Sequence, residues 1–257
     1  MKLNYKKVGE IGQPMVILHG VFGSLDNWAT VSKSIADAGY EVYLVDQRNH
    51  GRSPHSDEFT YEAMAADLAE FIEDHALINP VLVGHSMGGK TVMQYAELYP
   101  GTYDKLVVVD IGIKAYPPHH ESLLKGMNAL PLAEIESRQQ ADELFSAYEP
   151  SLGVRQFLLK NLYRTEADAF AWRFNLPVLT SDIDQVGVGI PKLRTVTEPT
   201  LFVKGALSPY IAESDWPSIQ ELFPNSELAI IPKAGHWVQA EQPKAFVEAL
   251  IRFLTDN

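Results

Sequence analysis

Short, almost wholly apolar runs alternate along the chain with longer segments in which apolar residues recur every three or four positions. The short runs are typical of strands that are buried on both faces, and the longer segments are typical of amphipathic helices. Their alternation predicts a mostly parallel sheet that is flanked by helices. We expect the strands at residues 15–18, 42–46, 81–83, 106–110, 201–204 and 228–231.

Two of the helices are particularly clear from their apolar spacing. One spans about residues 61–72 and follows Thr60, whose hydroxyl is suited to cap the first turn. The other spans about residues 246–254 and follows Pro243, which favours a helix start. A further helix is expected directly after the third strand, from Met87 onward.

A long segment in the second half of the chain lacks the strand pattern. From about residue 117 to residue 194 helical patterns replace it, and they interrupt the sheet before its last two strands. Ligands of open α/β sheets bind at the carboxyl edge of the strands, so we expect this segment to cover that edge. The predicted organisation is an α/β core of residues 1–114 and 195–257 with a helical cap insertion at 115–194.

Composition narrows the classes of function. The 257 residues are 46% hydrophobic and 21% charged, and their net charge of −12 disfavours nucleic acid and anionic membranes as partners. There is no cysteine, and no ligand spacing such as H-E-x-x-H occurs, so we expect neither a metal nor a disulfide. No run approaches the ~20 apolar residues of a membrane span, and no signal peptide is recognisable. These features predict a cytoplasmic protein.

The sequence Gly84-His85-Ser86-Met87-Gly88 carries the strongest chemical signal. It is a G-x-S-x-G motif between a predicted strand and a predicted helix, where a sharp turn exposes the serine hydroxyl. Small neighbours allow the backbone to bend, and the helix start directs free N–H groups toward developing negative charge. Ser86 is therefore the candidate nucleophile.

A second loop, H-G-V-F-G at residues 19–23, follows the first predicted strand. This fold needs such a loop to supply a backbone amide that stabilises an oxyanion. We expect the oxyanion-hole donors to be the N–H groups of Val21 and Met87, with Phe22 as the alternate to Val21. His19 is well placed to brace this loop.

The candidate base is His236, in the loop K-A-G-H-W at residues 233–237. It follows the last predicted strand and comes after Ser86 in chain order, as expected of the base that partners a serine in a G-x-S-x-G turn. The other seven histidines compete less well. His85, for example, should point away from the serine hydroxyl.

In their order and spacing these motifs resemble those of the α/β-hydrolase superfamily over the whole chain. The sequences H-G-V-F-G-S at 19–24 and D-Q-R-N-H-G at 46–51 look like those of the small carboxylesterase branch of YbfF-type esterases and their ABHD-type relatives. The resemblance implies a Ser-acid-His triad, a helical cap and no cofactor. Relatives with dehalogenase or epoxide hydrolase chemistry place Asp at the nucleophile position, where this chain has Ser86.

The acid of that triad is less obvious. Many relatives carry it in a Gly-x-x-Asp pattern after the strand that follows the cap, but residues 205–208 place Ser208 there. A hydroxyl cannot stabilise an imidazolium as a carboxylate does. Asp110, at the end of the preceding strand, shares the same sheet edge, and the branch that the chain resembles uses that location. Asp110 is our expected acid, and Glu213 and Asp215 are the alternatives.

Together these features predict a serine carboxylesterase that hydrolyses small or medium-chain acyl esters through an acyl-enzyme intermediate. An acyl thioesterase with the same triad is an alternative, because the motifs report the nucleophile and not the leaving group. A non-catalytic ligand-binding member of the fold is another. The aromatic residues expected to contact the substrate are Phe22, Tyr116, Trp172, Tyr210 and Trp237.

Overall fold

A seven-stranded sheet forms the centre of the protein in a computed structural model that describes residues 1–190 and 194–256. The described ranges contain nine strands, of which all but β6 and β7 belong to this sheet: β1 (Tyr5–Val8), β2 (Gln13–Leu18), β3 (Tyr40–Val45), β4 (Val81–His85), β5 (Lys105–Val109), β6 (Leu162–Arg164), β7 (Phe170–Trp172), β8 (Thr200–Gly205) and β9 (Ser226–Ile231). The order in the large sheet is β1-β3-β2-β4-β5-β8-β9. All neighbours are parallel except β1, which runs antiparallel to β3.

Helices cover both faces of this sheet, and further helices lie in the segment between β5 and β8. They are α1 (Ala29–Asp37), α2 (Tyr61–Asp74), α3 (Met87–Leu98), α4 (Glu121–Ala129), α5 (Arg138–Phe145), α6 (Leu152–Leu159), α7 (Leu176–Ser181), α8 (Trp216–Leu222), α9 (Val238–Glu241) and α10 (Pro243–Asp256). Short 3-10 turns occur at Leu25–Trp28, Ile183–Gly187 and Glu213–Asp215. None of the helices in the described ranges has the length and apolar character needed to cross a bilayer.

The two faces of the sheet pack into separate hydrophobic layers. Because side chains alternate along a strand, Leu82 of β4 joins the layer formed with α2 and α3. Its neighbours Val81 and Val83 join the layer formed with α1 and α10. All five residues of β4 are buried, which explains why the wholly apolar runs predicted these strands correctly.

All six predicted strands are present, but the sequence pattern did not indicate β1. This strand pairs antiparallel at the edge of the sheet, and its first three residues are exposed. Edge strands carry polar residues on their open side, so β1 lacks the apolar run that identified the others. The predicted mostly parallel architecture flanked by helices is confirmed.

The segment between β5 and β8 contains α4 to α7, as expected, but it is not wholly helical. The strands β6 and β7 form a separate antiparallel pair within it, which corrects that part of the prediction. Each of these strands has only three residues, too few to show a period of two. Residues 191–193 of the predicted insertion, and residue 257 of the predicted core, lie outside the described residues.

Lys90 on α3 hydrogen-bonds to the chain on both sides of this segment, near its entry from β5 and near its exit toward β8. Its side chain is fully buried, and Nζ donates to the carbonyl oxygens of Ile113 (3.3 Å), Lys114 (2.6 Å) and Val188 (3.0 Å). Burial lowers the pKa of Lys90 to about 7, while the three carbonyl acceptors favour its charged form. The helix that begins beside Ser86 is therefore bonded to the entry and the exit of the inserted segment.

Candidate active site

The turn from β4 to α3 holds Ser86 in an unusual backbone conformation. Ser86 has φ 53° and ψ −115°, and its N–H donates to Val109 O of the neighbouring strand at 3.0 Å. A Cβ atom at Gly84 would lie 2.1 Å from Gly88 O, and one at Gly88 would lie 2.6 Å from Leu18 O. Only glycine fits at these two positions. The turn therefore fixes the serine at the carboxyl edge of the sheet.

Ser86 lines a cavity of about 360 Å³ between the core and the inserted segment. Its core side includes the loop at 20–22 and the residues around His236. Its other side includes apolar residues of the inserted segment, namely Leu123, Val154, Phe157, Leu158, Ile183 and Val186. In the ranges 1–190 and 194–256 no group of three His, Asp or Glu side chains could hold a metal ion.

His236, in the loop between β9 and α9, is held from several sides. Nδ1 donates to Asp110 Oδ2 at 2.8 Å, which leaves Nε2 as a proton acceptor. The His236 carbonyl accepts a hydrogen bond from His85 Nε2 at 2.8 Å, and the Tyr210 ring stacks on the imidazole at 4.1 Å. His85 therefore contacts the histidine loop rather than the Ser86 hydroxyl. Ser86 Oγ makes no hydrogen bond to the imidazole among the residues described.

Asp110 is fully buried at the end of β5 and accepts three hydrogen bonds. Oδ1 accepts from Gly205 N at 3.0 Å, and Oδ2 accepts from both His236 Nδ1 and the Ser208 hydroxyl. Ser208 thus occupies the position where many relatives carry their acid, and it donates to the carboxylate of Asp110.

The alternative acids lie elsewhere. Neither Glu213 nor Asp215 lines the cavity. Asp215 pairs with Lys114 at 2.5 Å and accepts from Ala212 N at 2.7 Å. The structure therefore brings Asp110, and not these two carboxylates, into contact with His236.

Two buried histidines brace the loop at 19–23. His19 Nδ1 donates to Gly20 O at 2.8 Å, and its Nε2 accepts from Gln47 N at 3.1 Å. These contacts fit the bracing role that the sequence predicts for His19. His50 Nε2 accepts from Phe22 N at 3.1 Å. The N–H of Phe22 is therefore already engaged, which removes Phe22 as the alternate oxyanion donor. Val21 and Met87 both line the cavity.

Four of the five aromatic residues expected at the substrate line the cavity, namely Phe22, Tyr116, Tyr210 and Trp237. Trp172 does not, which corrects that expectation. It lies on β7, where its ring stacks on Phe174 at 4.9 Å and is 8% exposed. Sequence reasoning also missed cavity residues with no motif of their own, among them His119, His120 and Gln239.

The bracing histidines make stability depend on pH. Burial lowers the pKa of His19 to about 4 and that of His50 to about 3. Each ring accepts a backbone N–H, so each must be neutral in the folded protein. Between these values and the ordinary pKa of about 6.5, only the unfolded chain binds the proton. Their contribution is complete above pH 6.5 and decreases as the pH falls.

We expect the free energy of unfolding to fall by up to about 1.4 kcal/mol per pH unit for each of these histidines below pH 6. Urea unfolding at pH 7, 6 and 5 measures this slope. The His50→Gln variant should show a shallower slope than the wild type. The control is His55→Gln, since His55 is exposed and should leave the slope unchanged. An equal slope in wild type and His50→Gln would contradict the assignment.

Comparison with known proteins identifies the family of the chain. The family described as alpha/beta hydrolase fold matches residues 13–243. The chain is 38% identical over 247 residues to the mouse (Mus musculus) sn-1-specific diacylglycerol lipase ABHD11, covering 93% of this chain and 80% of that protein. It is 36% identical over 261 residues to esterase YbfF of Escherichia coli K12, covering 100% of each chain.

Solved structures give the same result. A marine microorganism esterase superposes with a TM-score of 0.95 at 40% identity, covering 98% of this chain and 99% of that one. The resemblance to the YbfF-type branch is thereby confirmed. The chain belongs to the α/β-hydrolase family and is a hydrolase enzyme.

Proposed function

We propose that the protein is a serine carboxylesterase that hydrolyses small or medium-chain acyl esters with Ser86, His236 and Asp110. One observation carries the proposal. The bond from His236 Nδ1 to Asp110 directs Nε2 to act as the proton acceptor, and His236 and Ser86 line the same cavity. A base in this tautomer can accept the serine proton as Oγ attacks a carbonyl carbon.

The reaction follows from these roles. Ser86 Oγ attacks the ester carbonyl, His236 takes its proton, and the N–H groups of Val21 and Met87 stabilise the oxyanion. His236 then gives the proton to the departing alcohol, and water releases the acyl group by the same route. Loss of one oxyanion donor typically raises the barrier by ~3 kcal/mol. Asp110 keeps the imidazole oriented and stabilises its charged form.

Residues 115–194 serve as the cap of this enzyme. Their apolar side chains line one side of the cavity and suit an acyl chain, and one of them, Phe157, packs against Trp237 of the histidine loop. A volume of about 360 Å³ lies at the lower end of the range for ligand pockets, which favours short and medium acyl groups. Phe22, Tyr116, Tyr210 and Trp237 supply further contacts. The related lipase and esterases are named for action on esters, which favours oxygen esters over thioesters.

A substrate series on the purified protein tests this function. We expect kcat/KM for p-nitrophenyl esters to peak at acyl chains of about two to eight carbons and to fall at least tenfold at sixteen, because the cavity is small. A thioester of butyrate should be hydrolysed more slowly than p-nitrophenyl butyrate. Preference for the thioester would favour the thioesterase alternative. Failure to hydrolyse any ester would favour the non-catalytic one.

A further inference from the structure

The ring of Tyr210 covers one face of the His236 imidazole. The two ring centroids lie 4.1 Å apart, and the ring planes are inclined by only 21°. The other aromatic rings that contact this imidazole in the described ranges, those of His85 and Trp237, are tilted by 45° and 59°. The face of an aromatic ring carries the negative part of its quadrupole and attracts a cation placed over it. Tyr210 is therefore positioned to act on His236 whenever the imidazole is charged.

Three hydrogen bonds hold Tyr210 in this position. Its N–H donates to the Ser208 hydroxyl at 3.3 Å, and its carbonyl oxygen accepts from the Tyr116 hydroxyl at 2.7 Å. Its own hydroxyl is bonded to Nε2 of His119 at 2.9 Å. Ser208 follows β8 of the core, whereas Tyr116 and His119 belong to the inserted segment. The ring is therefore held over the imidazole from both parts of the chain.

The direction of the bond between Tyr210 and His119 follows from the other nitrogen of the His119 ring. Its Nδ1 lies 3.2 Å from Pro117 O, and because a carbonyl oxygen can only accept, Nδ1 carries the hydrogen. Nε2 of the neutral ring then accepts from the Tyr210 hydroxyl. Burial raises the pKa of that hydroxyl, so it keeps its hydrogen. Hydrogen-bonded groups polarise one another, and a phenol that donates has a more electron-rich ring.

The proposed reaction places a positive charge on this imidazole twice. His236 takes a proton from Ser86 Oγ when the acyl-enzyme forms and from water when the acyl group is released, so both transition states contain an imidazolium. Before each step the ring is neutral. An interaction that is stronger with the charged ring raises kcat, because only differential stabilisation of the transition state does so. Since both steps benefit, the effect appears in kcat whichever step limits turnover.

We propose that Tyr210 stabilises the imidazolium of His236 by a cation–π interaction, and that His119 strengthens this interaction by accepting the hydrogen bond of the Tyr210 hydroxyl. Tyr210 is then a positioning residue that acts through the base, in addition to lining the cavity. Because His119 belongs to the inserted segment, the cap takes part in the chemistry as well as in shaping the pocket. This inference rests on the proposed esterase function.

Substitutions of Tyr210 test the ring and the hydroxyl separately, with p-nitrophenyl butyrate as the substrate. We expect Tyr210→Leu to lower kcat about five- to thirtyfold and to leave KM within about twofold of the wild type. Tyr210→Phe keeps the ring and should lower kcat only about two- to threefold. The matched control is Tyr163→Leu, which removes a tyrosine ring that lies 4.5 Å from the Arg173 guanidinium, outside this cavity. Its kcat should stay within about twofold of the wild type.

Fluorinated rings provide a test that does not depend on the folding of Tyr210→Leu. Tyr210 is replaced in turn by Phe, trifluorophenylalanine and pentafluorophenylalanine. Fluorine withdraws electron density from the face of the ring while it changes the size of the ring little. We expect kcat to fall stepwise along this series, because each replacement weakens the attraction for the imidazolium. A contact that only fills space would show no such order.

A kcat that does not follow the degree of fluorination would overturn the cation–π interaction. A loss in Tyr210→Leu that falls on KM alone, or an equal loss of kcat in Tyr210→Phe, would also overturn it. In each of these cases the wild type would still be an active esterase. Failure of the proposed function is distinct, since the wild type itself would then not hydrolyse p-nitrophenyl butyrate.

Discussion

The Ser86→Ala variant is expected to lose at least about 10⁴-fold in kcat for p-nitrophenyl butyrate, since no other group in the site replaces the attacking oxygen. The fold should be unaffected. Ser86 Oγ makes no hydrogen bond in the described residues, and alanine accepts the positive φ at the same cost as serine. We therefore expect the free energy of unfolding to change by less than about 1 kcal/mol.

The control for this variant is Ser122→Ala. Ser122 also lines the cavity, but its hydroxyl donates to Tyr148 O at 2.8 Å and is not part of the proposed reaction. Its kcat should stay within about threefold of the wild type. A fluorophosphonate probe should label the wild type and Ser122→Ala but not Ser86→Ala. Hydrolysis by Ser86→Ala at a rate near that of the wild type would disprove the nucleophile assignment.

Much of the fold was predictable because its determinants are local. The inner strands β4 and β5 are buried on both faces, so an apolar run identifies each of them, whereas the exposed edge strand β1 has no such run. The G-x-S-x-G motif encodes its own geometry, since only glycine fits at 84 and 88. The roles of Ser86, His236 and Asp110 stay predictions, although the structure places Asp110 and His236 in contact.

The features that were missed depend on contacts between distant parts of the chain. Lys90 looks like an ordinary helix residue, yet it is buried because the connections at 113–114 and 188 close over it. Trp172 was expected at the substrate because it is aromatic, but the hairpin that holds it was not foreseen. Sequence pattern indicates that an aromatic residue is buried, not which cavity it faces.

The acid illustrates how geometry decided between candidates that the sequence left open. Parallel strands bring their carboxyl ends to one edge, so β5 and β8 both deliver residues beside His236. Asp110 follows β5 and Ser208 follows β8, and the two side chains hydrogen-bond each other. A carboxylate from either strand could reach this location in principle. In this chain the carboxylate comes from β5.

Asp110→Asn is expected to reduce kcat about 10⁴-fold, the loss that the same substitution causes in a protease triad. The hydrogen bonds of Asp110 give the reason. Gly205 N–H can only donate, so the asparagine oxygen must face it and the NH₂ group must face His236. The imidazole then accepts at Nδ1 and carries its proton on Nε2. In that tautomer it cannot take the proton of Ser86.

The measurement is kcat for p-nitrophenyl butyrate in Asp110→Asn, Glu213→Gln and Asp215→Asn, with circular dichroism and thermal unfolding to verify each fold. Glu213→Gln and Asp215→Asn should keep kcat within about threefold of the wild type, because neither side chain lines the cavity. Asp215→Asn should lower the stability of the protein but not its activity, because it loses the partly exposed ion pair with Lys114. The opposite pattern, with an active Asp110→Asn and an inactive variant on the 205–215 loop, would move the acid to that loop. Loss of activity in Asp110→Asn alone would show that turnover depends on the tautomer of His236 that Asp110 holds.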